Sequence, residues 1–119
     1  EEPRKPTALF MHHPPFKIVE SKHPYQFDNW NKVEYLAEVI RKNDQIKHLF
    51  CGHTHRNAIG NIVGIPASTT ASIAVDLRLG ETPKSTEFVP TYQIHKFDGS
   101  KFKSKTVTCK NNKNLRGFG

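Results

Sequence analysis

The sequence has few cysteines and no long apolar run, and each absence argues against a class of protein. Its 119 residues include two cysteines, Cys51 and Cys109, too few for a disulfide framework. We expect both to be buried apolar residues near strand ends. No apolar stretch approaches 18 residues and no signal peptide is evident, so we expect no membrane association and a cytoplasmic location.

Apolar and acidic residues are also scarce. Hydrophobic residues make up 35% of the chain, and its mean hydropathy is −0.64, which fits one small domain or a piece of a larger one. Lysine and arginine outnumber aspartate and glutamate by 18 to 11, a net charge of +7. The densest lysines, within 101–113, do not alternate with aromatic side chains, which argues against nucleic-acid binding. A solvated strand face is the favoured interpretation, and a patch that attracts phosphate-bearing ligands is the alternative.

The beginning of the chain is unusual. It starts Glu1-Glu2-Pro3 without methionine, and Met11, the one methionine, falls inside the first predicted strand. We therefore expect 1–119 to be part of a single longer domain, with flexible ends at 1–6 and 110–119.

A strand, a helix and a second strand are predicted in the first half. Thr7–His12 forms a short apolar run bounded by prolines, and Ile46–Cys51 forms another. Between them, apolar residues recur at helical spacing over 30–43, with Asn29 among the candidate N-caps. This order predicts an α/β fold in which the two strands pair in parallel through a right-handed crossover.

The second half is predicted to contain strands with little helix. The candidates are 61–65, 72–77, 91–97 and 101–108, and Asp98-Gly99-Ser100 is expected to join the last two as an antiparallel hairpin. Residues 13–27 and 79–90 are expected to be loops and 111–119 a frayed tail.

Two histidine pairs occur where the two apolar strands end. Met11-His12-His13-Pro14-Pro15 follows the first strand, and Cys51-Gly52-His53-Thr54-His55 completes the second. Imidazole is the commonest protein ligand for transition metals, and active sites of α/β sheets lie at the carboxyl ends of parallel strands. The sequence therefore predicts a metal site across these two strand ends.

The individual histidines are expected to differ in role. In an extended segment, residues two apart point the same way, so His53 and His55 are both predicted ligands. His12 and His13 should point in opposite directions if their strand continues, which favours His12 as a ligand and places His13 near substrate or in a structural role. His48 and His95 are expected to be structural or exposed. Taken alone, these residues allow three imidazoles to bind one zinc ion. No carboxylate that could bridge two metal ions lies near either pair in the sequence.

Several segments resemble the calcineurin-like metallophosphoesterases, and within them most closely the bacterial class III cyclic nucleotide phosphodiesterases. The resemblance is carried by Leu9–Pro15 and Cys51–Arg56, and extends to Gly64–Thr69 with Val75–Arg78 and to Tyr92–Phe97. It covers most of the chain. It implies the C-terminal half of a sandwich of β-sheets flanked by helices.

The resemblance also implies a dinuclear site of which this chain holds a part. Members of the family bind two metals through five sequence blocks, and only the lone histidine and the Gly-His-x-His block occur here. By that pattern His12 and His53 would bind one metal and His55 the other. Arg56 follows the turn and is expected either to contact the phosphate of the substrate or to form a surface salt bridge. No catalytic residue is assigned within the chain, since the general-acid histidine and bridging aspartate belong to the missing blocks.

The implied chemistry is metal-assisted hydrolysis of a small phosphodiester, with 3′,5′-cyclic nucleotides as the expected substrates. Two divalent ions, manganese, iron or zinc, would be needed, together with the N-terminal half of the same domain as a partner. The alternative is a non-catalytic metal-binding or interaction module that retains three histidines.

Overall fold

The predicted α/β class is confirmed. A computed structural model describes residues 4–19, 29–73 and 90–109. Its elements, in chain order, are β1 (Thr7–Met11), α1 (Asn31–Arg41), β2 (Ile46–Cys51), β3 (Ala58–Ile62), β4 (Ile65–Thr69), β5 (Thr91–Phe97) and β6 (Phe102–Thr108).

The strands form two sheets. In the first sheet the order is β1-β2-β4-β3; β2 pairs in parallel with both β1 and β4, and β3 pairs antiparallel with β4. The second sheet is the antiparallel hairpin of β5 and β6. The register of β1 and β2 ends on the pair Met11 and Cys51, so the chain leaves both strands at the same level of the sheet.

The core lies on one face of the four-stranded sheet, under α1. β2 is buried on both faces because it is a central strand. Its Leu49 packs in a cluster with Val33 and Ile40 of α1, and Phe16 and Ile18 from the segment after β1 join the same cluster. The apolar stripe of the helix therefore packs as its spacing predicted.

The hairpin covers part of the opposite face. The ring of Phe50 stacks on His95 of β5 with centroids 3.8 Å apart, and on its own-strand neighbour His48 at 4.0 Å. Phe102 of β6 meets Phe50 edge-on at 5.8 Å. The molecule is thus layered as helix, four-stranded sheet and hairpin.

Two predicted boundaries were too generous. β1 ends at Met11 rather than His12, and α1 spans Asn31–Arg41 rather than 30–43. The predicted polar N-cap was wrong, because Trp30 occupies that position and makes no side-chain capping bond. Asn29 lies one residue earlier, and its side chain accepts a hydrogen bond from the backbone N–H of Asn31 at 3.0 Å.

The predicted strand at 61–65 was wrong, because this stretch contains a turn. Val63 and Gly64 have φ values of 49° and 81°, the backbone of a two-residue hairpin. They join β3 to β4, which pair from Ile62 and Ile65 outward. The β-branched residues Ile62, Val63 and Ile65 favour a continuous strand in sequence, and the turn at Val63-Gly64 interrupts it.

The predicted hairpin between β5 and β6 is confirmed. The carboxylate of Asp98 accepts hydrogen bonds from the backbone N–H groups of Ser100 and Lys101, both at 2.9 Å. These bonds, with a contribution from Lys103, lower the pKa of Asp98 to about 2. Gly99 supplies the positive φ, 95°, that the turn requires.

Some of the remaining predictions were wrong, and others concern segments outside the described residues. Cys51 is buried as expected, but Cys109 is exposed because it follows the end of β6. Ser72 and Ile73 belong to no strand; the rest of the predicted strand 72–77, most of the two predicted loops and the tail lie outside the described residues. Among the described helices none is long and apolar enough to cross a membrane.

Replacing Gly60 is expected to destabilise the fold. A Cβ added at Gly60 would overlap the ring of Phe16, which is buried and has little room to move. Gly60→Ala should lower the free energy of unfolding by about 1–3 kcal/mol, the usual cost of overpacking a core. Chemical denaturation would measure it, with the exposed neighbour Ile59→Ala as a control that should change stability little. Equal effects of the two substitutions would contradict this packing.

Acid is expected to weaken the fold through His48. Burial, and then the nearby charge of His95, lower the pKa of His48 below its ordinary 6.5, so the unfolded chain binds more protons in the interval below that value. Stability should therefore fall as the pH is lowered through this interval. Chemical denaturation at several pH values between 7.5 and 5 would measure the free energy of unfolding. This free energy should fall less with decreasing pH in His48→Gln than in the wild type. An identical pH dependence in the two proteins would contradict the assignment to His48.

Candidate metal centre

The ends of β1 and β2 hold the two histidine pairs side by side. Directly after the pair Met11 and Cys51, the backbone N–H of Gly52 donates to the carbonyl of His12 at 3.0 Å. The parallel pairing is thus extended by one bond beyond the strands. Both histidine-bearing segments therefore start from a common, hydrogen-bonded point.

Three imidazoles meet at this point. The Nδ1 atom of His53 lies 3.3 Å from Nε2 of His12, and the His13 ring lies 4.1 Å from that of His53, centroid to centroid. One nitrogen from each ring lies within 4.8 Å of the others. We call His12, His13 and His53 the three-histidine group.

His13 belongs to this group because β1 is shorter than predicted. The alternation that would send His12 and His13 to opposite sides applies only within an extended strand, and both residues follow its last residue, Met11. Their rings are edge-on with centroids 5.0 Å apart. The structure thus brings the ring of His13, expected near substrate or in a structural role, to 4.1 Å from that of His53, whereas the ring of the predicted ligand His12 lies 5.1 Å away, centroid to centroid.

The donor set suits a transition metal. Two nitrogens bound to one tetrahedral ion at about 2.0–2.1 Å are about 3.3 Å apart, and the His12 and His53 nitrogens are separated by 3.3 Å. Neutral imidazole is the form that binds. Burial, and then the charges of His13, His12 and His55, lower the pKa of His53, so it stays neutral to a lower pH than an isolated histidine.

The second pair is arranged by an unusual turn. His53 and His55 have φ values of 69° and 53°, in the left-handed region that costs non-glycine residues of order 1–3 kcal/mol each. Thr54 between them is fully buried, and its N–H donates to the carbonyl of Gly52 at 2.8 Å. The turn therefore departs from the extended backbone that the Gly-His-x-His spacing predicted.

His55 lies outside the three-histidine group, although it shares a cavity with His53. The cavity has a volume of about 410 Å³, and β5 supplies its far wall through Gln93 and His95. The Nδ1 atom of His55 is buried without a hydrogen-bond partner, an arrangement that a bound ligand would satisfy. The expected convergence of His12 with His53 is present, and the role of His55 as a ligand stays a prediction.

Arg56 and Cys51 flank the two histidines of the turn in the sequence. Arg56 is half-buried, and its carbonyl accepts a hydrogen bond from the Thr69 hydroxyl at 2.7 Å; a contact of its guanidinium with substrate remains a prediction. Burial raises the pKa of the Cys51 thiol to about 12. Cys51 packs in the core cluster and does not belong to the three-histidine group.

The sequence did not predict that Gln93 and His95 line this cavity, and His95 was expected to be structural or exposed. They lie two residues apart in β5, so they share the face that turns toward the first sheet. The alternation of Tyr92-Gln93-Ile94-His95 carries this information in part. This face becomes a wall of the cavity because the hairpin packs against β2, and the local sequence pattern does not predict that packing.

Comparison with known proteins points to phosphodiesterases. No protein-family model matches the chain. The chain is 35% identical over 97 residues to a probable glycerophosphodiester phosphodiesterase GpdQ of Arcobacter nitrofigilis. It is also 35% identical over 52 residues to the glycerophosphodiester phosphodiesterase GpdQ of Enterobacter lignolyticus.

These alignments cover a limited part of the relatives. The first spans 78% of this chain and 35% of the relative, and the second spans 43% and 18%. The chain thus matches about a third or less of the length of these curated relatives. The similarity agrees with the phosphodiesterase class that the two histidine blocks indicated, and it lends no support to cyclic nucleotides.

Zinc binding should depend on the three-histidine group more than on His55. We expect His12→Ala or His53→Ala to weaken the zinc affinity of the chain by at least about tenfold, since even a partner outside the ligand shell is worth about 10–100-fold. His55→Ala should weaken it less, because His55 lies outside the group. Competition with a chromophoric chelator would measure the affinities. Wild-type affinity in His12→Ala would exclude this site.

Proposed function

We propose that this chain is the C-terminal part of a dinuclear, metal-dependent phosphodiesterase. The observation that carries the proposal is the meeting of His12 and His53 at the carboxyl ends of two parallel strands, with His55 in the adjoining cavity. In this assignment His12 and His53 hold one metal ion and His55 contributes to a second. The resemblance of both histidine blocks to metallophosphoesterases and the names of the two relatives support it.

Side chains around the proposed metal ions would bind and orient an anionic substrate. When bound, the metal ions supply a water of lowered pKa and neutralise charge on the phosphoryl oxygens. His53 contributes a neutral ring, because burial and its histidine neighbours lower its pKa. In this proposal His13, packed against His53, and Arg56 at the end of the turn would contact the phosphate. The net charge of +7 favours the approach of such a substrate.

A second half of the domain would complete the site. Within the described residues, β1 pairs on one side only, with β2, whereas parallel strands are usually buried in the interior of a sheet. Phe10 of β1 is 71% exposed although its ring stacks on Phe50 at 5.2 Å. An N-terminal half that packs against this edge would cover Phe10 and supply the bridging aspartate and general-acid histidine.

The substrate is proposed to be a small phosphodiester that carries a glycerol group. The two relatives are named for glycerophosphodiesters, whereas the sequence resemblance alone favoured 3′,5′-cyclic nucleotides. The cavity beside His53 and His55, about 410 Å³, is large enough for a diester with a short alcohol. Cyclic nucleotides remain the competing substrate class in the assay below.

The activity is expected to require both halves of the domain. The 119-residue chain alone should hydrolyse phosphodiesters very slowly or not at all, because residues of such a site act as a unit. The longer protein, supplied with manganese, should hydrolyse glycerophosphoethanolamine faster than cyclic AMP and much faster than a phosphomonoester. Turnover by the chain alone at enzyme-like rates would contradict the division of the site between two halves.

Variants of the longer protein separate the possible outcomes. His55→Ala should reduce kcat by orders of magnitude, whereas Arg56→Ala should cost about 1–3 kcal/mol in kcat/KM if the guanidinium holds phosphate. Faster hydrolysis of cyclic AMP than of glycerophosphoethanolamine would support the proposed phosphodiesterase activity and contradict the proposed substrate. Full activity of His55→Ala would contradict the assignment of His55 to the second metal ion. Metal binding without any hydrolysis would favour the non-catalytic module instead.

A further inference from the structure

The turn that carries the second histidine pair needs an external restraint. His53 and His55 both adopt left-handed backbone conformations that an unconstrained chain seldom populates at non-glycine residues. Within the turn, the one backbone hydrogen bond runs from Thr54 to Gly52. Such conformations persist only where the surrounding structure enforces them, so groups outside the turn must hold it.

Thr69, the last residue of β4, stands between the two ends of this turn. β4 lies between β2 and β3 in the sheet, and Thr69 pairs with Cys51 on one side and with Ala58 on the other. The chain therefore leaves the sheet beside Thr69, forms the turn and returns beside the same residue. No other position of the described sheet flanks both ends.

The hydroxyl of Thr69 closes the turn. It donates to the carbonyl of Arg56 at 2.7 Å, and the residue is 1% exposed. Because Thr69 is buried, water does not readily replace its hydroxyl, so loss of the hydroxyl leaves the carbonyl without this donor. The side chain of Asn57 adds a second link, since it accepts a hydrogen bond from the N–H of Ala71 at 3.0 Å.

We propose that Thr69 is a positioning residue whose hydroxyl holds the turn at Gly52–Arg56 so that His53 faces His12. This role rests on the metal site proposed above. Without the hydroxyl, the Arg56 carbonyl is released and the turn relaxes toward ordinary backbone conformations. His53 then separates from His12 and His13, while the sheet and helix that form the core stay in place.

Zinc affinity of the full 119-residue chain tests the proposal. Thr69→Val keeps the shape of the side chain and removes the hydroxyl, and it should weaken zinc binding by about tenfold, as loss of an orienting partner does. Thr69→Ser keeps the hydroxyl and should restore the affinity to within about threefold of wild type. Ile40→Val, a conservative core substitution in α1 and outside the turn, serves as a control for lowered stability.

Each outcome of this titration decides for or against the proposal. Weaker binding in Thr69→Val, rescue in Thr69→Ser and unchanged binding in Ile40→Val would support it. Unchanged affinity in Thr69→Val would overturn it. Failure of serine to rescue, or an equal loss in Ile40→Val, would overturn it too, because the effect would then come from packing or general stability.

Amide hydrogen exchange without metal separates this proposal from the metal site itself. In Thr69→Val, the amides of Gly52 and Thr54, both hydrogen-bonded at the turn, should exchange at least about tenfold faster, while that of Phe50 within β2 should not change. If the wild-type chain binds no zinc, the proposed metal site fails, yet faster exchange at these two amides would still support the positioning role of Thr69. Unchanged exchange there would overturn that role.

Discussion

The candidate site depends on the parallel pairing of β1 with β2. This pairing ends at Met11 and Cys51 and continues through the bond from the Gly52 N–H to the His12 carbonyl. Residues 41 positions apart in the chain, His12 and His53, are thereby brought to a nitrogen separation of 3.3 Å. A shift of one residue in this register would turn the side chains over and separate the rings.

The helix and the hairpin secure that pairing from opposite faces. Val33 and Ile40 of α1 pack in one cluster with Leu49 of β2, while His95 of the hairpin stacks on Phe50. The same hairpin forms a wall of the cavity beside His53 and His55. Packing that stabilises the sheet therefore also shapes the site, and the low pKa of His53 is a consequence of the resulting burial and crowding.

Much of the fold was predictable from pattern alone. β2 and β5 have the predicted bounds, and α1 lies within its predicted range, because long runs of helical or alternating spacing are strong indicators. The turn at Val63-Gly64 was not predicted, since a β-branched residue with φ of 49° contradicts its own preference and is imposed by the pairing of β3 with β4. The exposure of Cys109 depends likewise on what packs around the strand end.

By itself the sequence determined which donor groups stand at the two strand ends. Histidine pairs at the ends of apolar strands indicate nitrogen ligands at a sheet edge, and their identity and spacing are local properties. Which histidines meet was decided only by the tertiary structure. β1 stops one residue early, so His13 joins His12, and a turn held by Thr69 directs His53 toward both. Strand ends and turn conformations result from contacts between distant segments, and local spacing does not encode such contacts.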